Sequence, residues 1–168
     1  MTTMLDPMLN EFREEAAVTK RVLDRVPPDK LSWKPHARSM SLGQLAIHIA
    51  TIPGRLCQLA RQDGFDVSKG SFEPTPPENV EEIQVAFQQS IREVEKSLQE
   101  MTEQEAKGQW RLMLKDKEIS SKTRISVLRS IMLNHWYHHR GQLSVYLRML
   151  DVPIPVIYGR SADESPFV

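Results

Sequence analysis

Five histidines carry most of the chemical potential of this 168-residue chain, and three of them fall in one string, NHWYHHRGQL at residues 134–143. His135 and His139 are four apart, so on a helix their imidazoles stack one turn apart on one face. At about 100° per residue, His138 lies roughly 80° off their shared direction and points to the flank. Leu128, Ile131, Met132, Tyr146 and Leu150 define the apolar stripe of the same helix, and His135 and His139 fall at its centre. Imidazoles in a core need partners, because a buried polar group without one costs roughly 1–3 kcal/mol. Two readings meet that need. Either the rings are core residues satisfied by ordinary hydrogen bonds, or they hold a divalent metal, which takes neutral imidazole and occupies one nitrogen of each ring. Helix-borne His-x-x-x-His pairs are one way to build such a site. The metal reading needs a third ligand from another element. His48, in SLGQLAIHIATI, is the remaining core-directed histidine, on the shoulder of its own stripe between Leu45 and Ile52. His36, beside Pro35 in a loop, reads as surface chemistry, and no glutamate completes the His-Glu-x-x-His of a zincin protease.

Four amphipathic segments have to position these rings. Residues 5–26 carry Leu5, Met8, Leu9, Phe12, Ala16, Val22, Leu23 and Val26 at helical spacing, and Pro27 with Pro28 stops them. Residues 27–41 read as a loop. Ser41 is a good N-cap for a second helix reaching about Asp63, with Pro53 a candidate kink. Residues 64–77, with glycines and prolines, form a long connection. A third helix is expected over 78–101 and a fourth over 124–150, closed by Pro153 and Pro155 and followed by an irregular tail. Between them Trp110, Leu112 and Leu114 alternate with polar residues, and Lys115-Asp116-Lys117 could turn a small hairpin. The expected architecture is an all-α, antiparallel four-helix bundle, with room for that hairpin, in a single domain over residues 1–168.

Composition narrows the function. Lys plus Arg and Asp plus Glu both number 22, so no net charge favours nucleic acid or an anionic membrane as partner. A single cysteine, Cys57, excludes an internal disulfide. The N-terminal stretch lacks an apolar signal core, and no apolar run approaches the ~20 residues of a membrane span, so a cytoplasmic protein is expected.

The strings LSWKPHARSMSLGQLAIHIATIP and LNHWYHHRGQLSVYLRMLDVPIPVIYGRSADE resemble the two signature regions of the DinB-like superfamily. They cover about a third of the chain, and the helix order agrees over nearly all of it. The resemblance implies a four-helix bundle, often dimeric, with a metal triad of one histidine on helix two and two on helix four. These map onto His48, His135 and His139, with zinc or nickel the usual ion. Two departures are modest: Thr51 stands where an acidic residue often follows the helix-two histidine, and Arg160 where proline is common. Members with known activity use low-molecular-weight thiols for transfer or isomerisation. The implied function is therefore a divalent-metal-dependent enzyme, a thiol-dependent S-transferase or a hydrolase, acting on a small electrophilic substrate. The alternative is a non-catalytic metal- or ligand-binding helical bundle in a stress response.

Cys57, nine residues after His48, points to nearly the opposite side of its helix and reads as a buried structural thiol. Arg140 and Gln142 flank the histidine pair; Gln142 is a candidate hydrogen-bond partner for a ligand or water, or for packing against helix two. Gly141 would permit close helix approach. Trp136, Tyr137 and Tyr146 read as packing residues. A homodimer is expected from the resemblance, with Trp110 and the Val156-Ile157 pair as exposed apolar candidates.

Overall fold

The structure, a computed structural model, describes residues 3–70 and 73–167. Four long helices enclose one apolar core: α1 (Asp6–Leu23), α2 (Leu42–Ala60), α3 (Val80–Glu100) and a final helix made of α5 (Arg124–Val127), a π-turn segment (Leu128–Leu133) and α6 (Asn134–Met149). A short helix, α4 (Glu103–Lys107), and strands β1 (Gly64–Asp66), β2 (Gln109–Leu114) and β3 (Lys117–Thr123) complete the chain.

The helix starts follow from their caps. Ser41 accepts from the Gln44 amide while Gln44 returns its side chain to the Ser41 amide, a reciprocal capping box. Asn79 caps α3 through the Glu82 amide, so α3 begins at Val80. The last helix ends at Met149, and just beyond it Asp151, with φ 57°, lets the Val152 amide return to the Leu147 carbonyl.

Cross-helix contacts fix the directions. Arg13 meets Glu95 at 2.7 Å and Gln84 meets Asp24 at 3.0 Å, so α1 and α3 are antiparallel. Met40 pairs with Tyr146 and Cys57 with Met132, so α2 and α6 are antiparallel too. Gly54 pairs with Ser90, however, and Arg61 with Glu100, so α2 and α3 run parallel. Likewise Glu11 meets Arg129 and Glu15 meets Arg140, making α1 parallel to the last helix. The expected antiparallel bundle is corrected on this point. A parallel neighbour forces the connection after α2 to return the length of the bundle, which is why residues 61–79 are so many.

The second correction is a sheet of order β1-β2-β3, so the fold is mostly helical rather than all-α. The hairpin of β2 and β3 forms, turning at Lys115 with φ 54°. The long connection adds β1, parallel to β2, with Gly64 opposite Arg111. A Cβ at Gly64 would sit 2.3 Å from the Arg111 carbonyl oxygen, so only glycine admits this pairing. The sheet lies against the end of α2, and Trp110 is buried at 5% exposure, its Nε1–H donating to the Leu59 carbonyl. Trp110 is therefore core, not an exposed docking residue, because β2 alternates and this position faces inward. Val156 and Ile157 are half-buried.

Pro53 organises the centre of the bundle. It supplies no N–H to the Ile49 carbonyl one turn back, and that oxygen accepts instead from Trp136 Nε1 at 3.0 Å. The next amide, Gly54, donates to Ser90 Oγ at 2.8 Å. A Cβ on Gly54 would lie 3.0 Å from the Ser90 Cα, so this glycine lets α2 and α3 approach. The result is a bundle with no unpartnered buried side-chain polar atom among the described residues.

Candidate metal centre

The last helix supplies two of the rings, and its π-turn sets their direction. A π-turn inserts about one extra residue, so the face downstream lags a simple 100° count by about one position. The buried residues after the turn are Trp136, His139, Arg140, Leu143 and Leu147, so the stripe runs through Trp136 and Arg140 with His139 beside it and His135 left half-buried. The two histidines therefore sit on the edge of the stripe, His135 half-buried and His139 9% exposed, and not at its centre. There they face His48, itself half-buried on α2. His138 is exposed and outside the cluster.

His48, His135 and His139 each offer a ring nitrogen, and these three nitrogens lie within 4.8 Å of one another. The His135 and His139 Nε2 atoms are 2.7 Å apart. The His48 ring lies 4.7 Å from the His139 ring and 5.5 Å from the His135 ring, centre to centre. Gln142 sets the protons: its Oε1 is 2.7 Å from His139 Nδ1, and a carboxamide oxygen only accepts, so His139 carries its proton on Nδ1 and presents a lone pair at Nε2. The exposed Gln142 thus holds a candidate ligand in its tautomer, a role beyond the ligand contact or helix packing expected of it.

Electrostatics keep the rings neutral. Burial, followed by repulsion from His139, His135 and Arg55, pushes the His48 pKa down to about 4. Burial, then His139 and His138, lowers that of His135. Burial also lowers His139, partly offset by the Gln142 hydrogen bond. Neutral, convergent imidazoles with one tautomer fixed from outside are the donor set a divalent ion of the zinc or nickel type requires. No carboxylate or thiol joins the cluster among the described residues. Metal–nitrogen bonds of about 2.0–2.1 Å in tetrahedral geometry need nitrogens somewhat over 3 Å apart, so the His135–His139 pair has only to open slightly.

The remaining candidates fall elsewhere. Cys57 is buried, its Sγ 3.4 Å from Met132 Sδ, and burial raises its pKa to about 12. Arg140 does not flank the site. It is 1% exposed and turned to α1, ion-paired with Glu15 at 2.6 Å and bonded to Thr19 Oγ1 and the Tyr158 hydroxyl. A Cβ at Gly141 would meet nothing within 4 Å, so no helix approaches there. Thr51 directs its hydroxyl to the Ile47 carbonyl at 2.8 Å. The tail, irregular as expected, is fastened by Asp163 to Arg148 and the Ile154 amide and by Glu164 to Arg21. The network of Arg140, Glu15 and Tyr158 was not legible, since nothing in the string HHRGQL distinguishes a buried arginine from a solvated one.

Fold and histidine placement together define a class of protein, helical bundles with a three-histidine cluster between two helices. Comparison with known proteins names the family: the DinB family model matches residues 1–166, and the protein belongs to the DinB family. It is 24% identical over 167 residues to the uncharacterized protein YrdA of Bacillus subtilis, spanning 98% of this chain and 93% of that one. Crystal structures of two DinB-like proteins share its fold. YjoA from Bacillus subtilis superposes with a TM-score of 0.70 at 21% identity, over 92% of this chain and all of the other. A protein from Bacillus cereus gives 0.68 at 21% identity, over 89% and 95%. No described helix is long and apolar enough to cross a membrane.

Proposed function

We propose that the protein is a divalent-metal-dependent enzyme that transfers a small thiol, or water, to a small electrophilic substrate, with His48, His135 and His139 as the metal ligands. The observation that carries this reading is the convergence of three neutral imidazoles from two helices, one held in its tautomer by Gln142. A divalent ion held there, with three protein ligands and a position left open, would act as a Lewis acid that lowers the pKa of a water or thiol beside it. The chain contributes the rest. His48 and His135 are half-buried, so the cluster opens to solvent on one side while Ile49 and Trp136 pack behind it. No carboxylate stands within the cluster among the described residues, so no side-chain base competes for the proton. Cys57 takes no part, because its thiol is buried and protonated at neutral pH.

A purely structural role for the ion is disfavoured by the core, which is continuous across all four long helices and has its buried polar side chains partnered. A homodimer belongs to the same proposal, supported by Val145 and Met149, exposed one turn apart on α6. Elemental analysis of natively purified protein, followed by a transfer assay with several cellular thiols and epoxide, alkyl halide and activated-ester acceptors, tests the reading. Activity that survives complete metal removal contradicts it.

A further inference from the structure

Where β3 turns into the last helix, the surface opens into a hollow of about 560 Å³, lined by Lys122, Thr123, Ile125, Ser126, Arg129 and Ser130. The fold makes it in two steps. β3 is the edge of the sheet, so among the described residues no strand pairs with its outer side. Thr123 then caps the helix through the Ser126 amide, and two neighbouring rows, Ile125 with Arg129 and Ser126 with Ser130, present one helix face beside the strand end. Lys122 pairs across the hairpin with Trp110, which is buried, and cross-strand partners leave the sheet on the same side. The lysine therefore leaves its strand on the side of the helices.

The lining holds two cations and no carboxylate. Lys122 is exposed, and its ammonium has no hydrogen-bond or ion-pair partner among the described residues. Glu118, the acid of the same strand, is turned to Arg111 at 3.6 Å. Arg129 gives a guanidinium nitrogen to Glu11 at 2.7 Å, so its charge is partly balanced and Lys122 carries the uncompensated one. The Thr123 and Ser126 hydroxyls lie 2.7 Å apart, and whichever of them donates, the proton of the other stays available. Ser130 spends its own proton on the Ser126 carbonyl. An ammonium, a guanidinium and a hydroxyl proton suit a phosphate head, whose three terminal oxygens accept from all of them. The volume falls within the roughly 300–1,000 Å³ of small-molecule sites, and Ile125 offers an organic group an apolar wall.

We propose that this hollow binds a small phosphate monoester. Lys122 is its main phosphate contact, Arg129 and the Thr123–Ser126 hydroxyl pair complete the head, and the organic part lies against Ile125. None of the lining residues is a histidine, so the site stands apart from the cluster and does not depend on what the cluster holds. It binds and breaks no bond.

Phenyl phosphate, benzoate and uncharged phenol serve as probes, titrated into the full chain as purified and followed by backbone amide NMR shifts, which locate the binding. Phenyl phosphate should saturably move the amides of residues 122–130, and should bind there about tenfold more tightly than benzoate or phenol. Lys122→Gln should weaken it about tenfold, because a hydrogen bond to a charged group is lost. Lys122→Arg should restore most of the affinity, and Lys117→Gln, an exposed lysine at the far end of the same strand, should leave it unchanged. Lys122 is exposed on an edge strand, so its variants should fold, which the dispersion of the amide spectrum checks. A Lys122→Gln protein that binds phenyl phosphate as the parent does overturns the proposal. So does a parent whose shifts are confined to the surroundings of His48, His135 and His139, or one that shows no saturable shift at residues 122–130.

Discussion

The indole N–H of Trp136 donates to the main-chain carbonyl of Ile49 at 3.0 Å, across the interface of the two helices that carry the histidines. Pro53 makes this bond available by withholding the amide that would otherwise take the same oxygen. His48 immediately precedes Ile49, and His135 immediately precedes Trp136, so the bond sets the spacing of the imidazoles. Trp136→Phe keeps the ring and strands the carbonyl, and should cost about 1–3 kcal/mol in urea unfolding. In a Pro53→Ala background the restored amide can take the oxygen, so the same substitution should cost less by about 1 kcal/mol. Equal costs in the two backgrounds would show that the proline and the indole are not coupled.

Gln142 should matter to the metal although it is not a ligand. Gln142→Leu frees His139 to adopt the other tautomer and lose its orientation, which typically weakens metal binding about 10- to 100-fold. Competition with a chromophoric chelator reads the affinity, and circular dichroism should be unchanged. An affinity equal to the parent's would remove Gln142 from the account.

Cys57 should be silent. With its thiol buried and its pKa raised to about 12, the folded protein should resist stoichiometric labelling by a disulfide reagent at neutral pH and label fully in denaturant. Rapid labelling of the native protein would contradict its placement under the π-turn.

The carboxyl-terminal tail should detach in acid. The pairing with Arg148 and the Ile154 amide lowers the Asp163 pKa below its ordinary 3.8, and the Val156 amide with Arg21 lowers that of Glu164 below 4.5. A depressed folded-state pKa contributes stability that is complete above the unfolded value and is lost as pH falls through the folded one. Docking should therefore be constant from neutral pH to about 5 and weaken below about 4. Amide exchange at Ile154 and Val156 follows it. Protection that rises toward acid would reverse the sign and contradict the pairing.

What could be read from the sequence followed from local chemistry. Ser41 and Gln44 announce the start of α2, and the spacing of His135, His138 and His139 separates two clustered rings from an exposed one. What could not be read depends on non-local partners. The parallel run of α2 and α3 is written in pairs such as Gly54 with Ser90, which no periodicity reveals. β1 exists because Gly64 tolerates the Arg111 carbonyl. The π-turn at Leu128–Leu133 displaced the stripe from His135 and His139 to Trp136 and Arg140, since a 100° count assumes an unbroken helix. That displacement carried the histidines to the edge of the core, with His139 still buried and His135 half-buried.

The central claim is that His48, His135 and His139, without His138, hold a divalent ion. Metal content and affinity of the parent, His139→Ala and His138→Ala proteins, purified identically and checked for folding, test it most directly. The account predicts one ion per chain in the parent, retention in His138→Ala, and loss of tight binding in His139→Ala with the helical signal preserved. A His138→Ala protein stripped of metal beside a His139→Ala protein that keeps it would contradict the account.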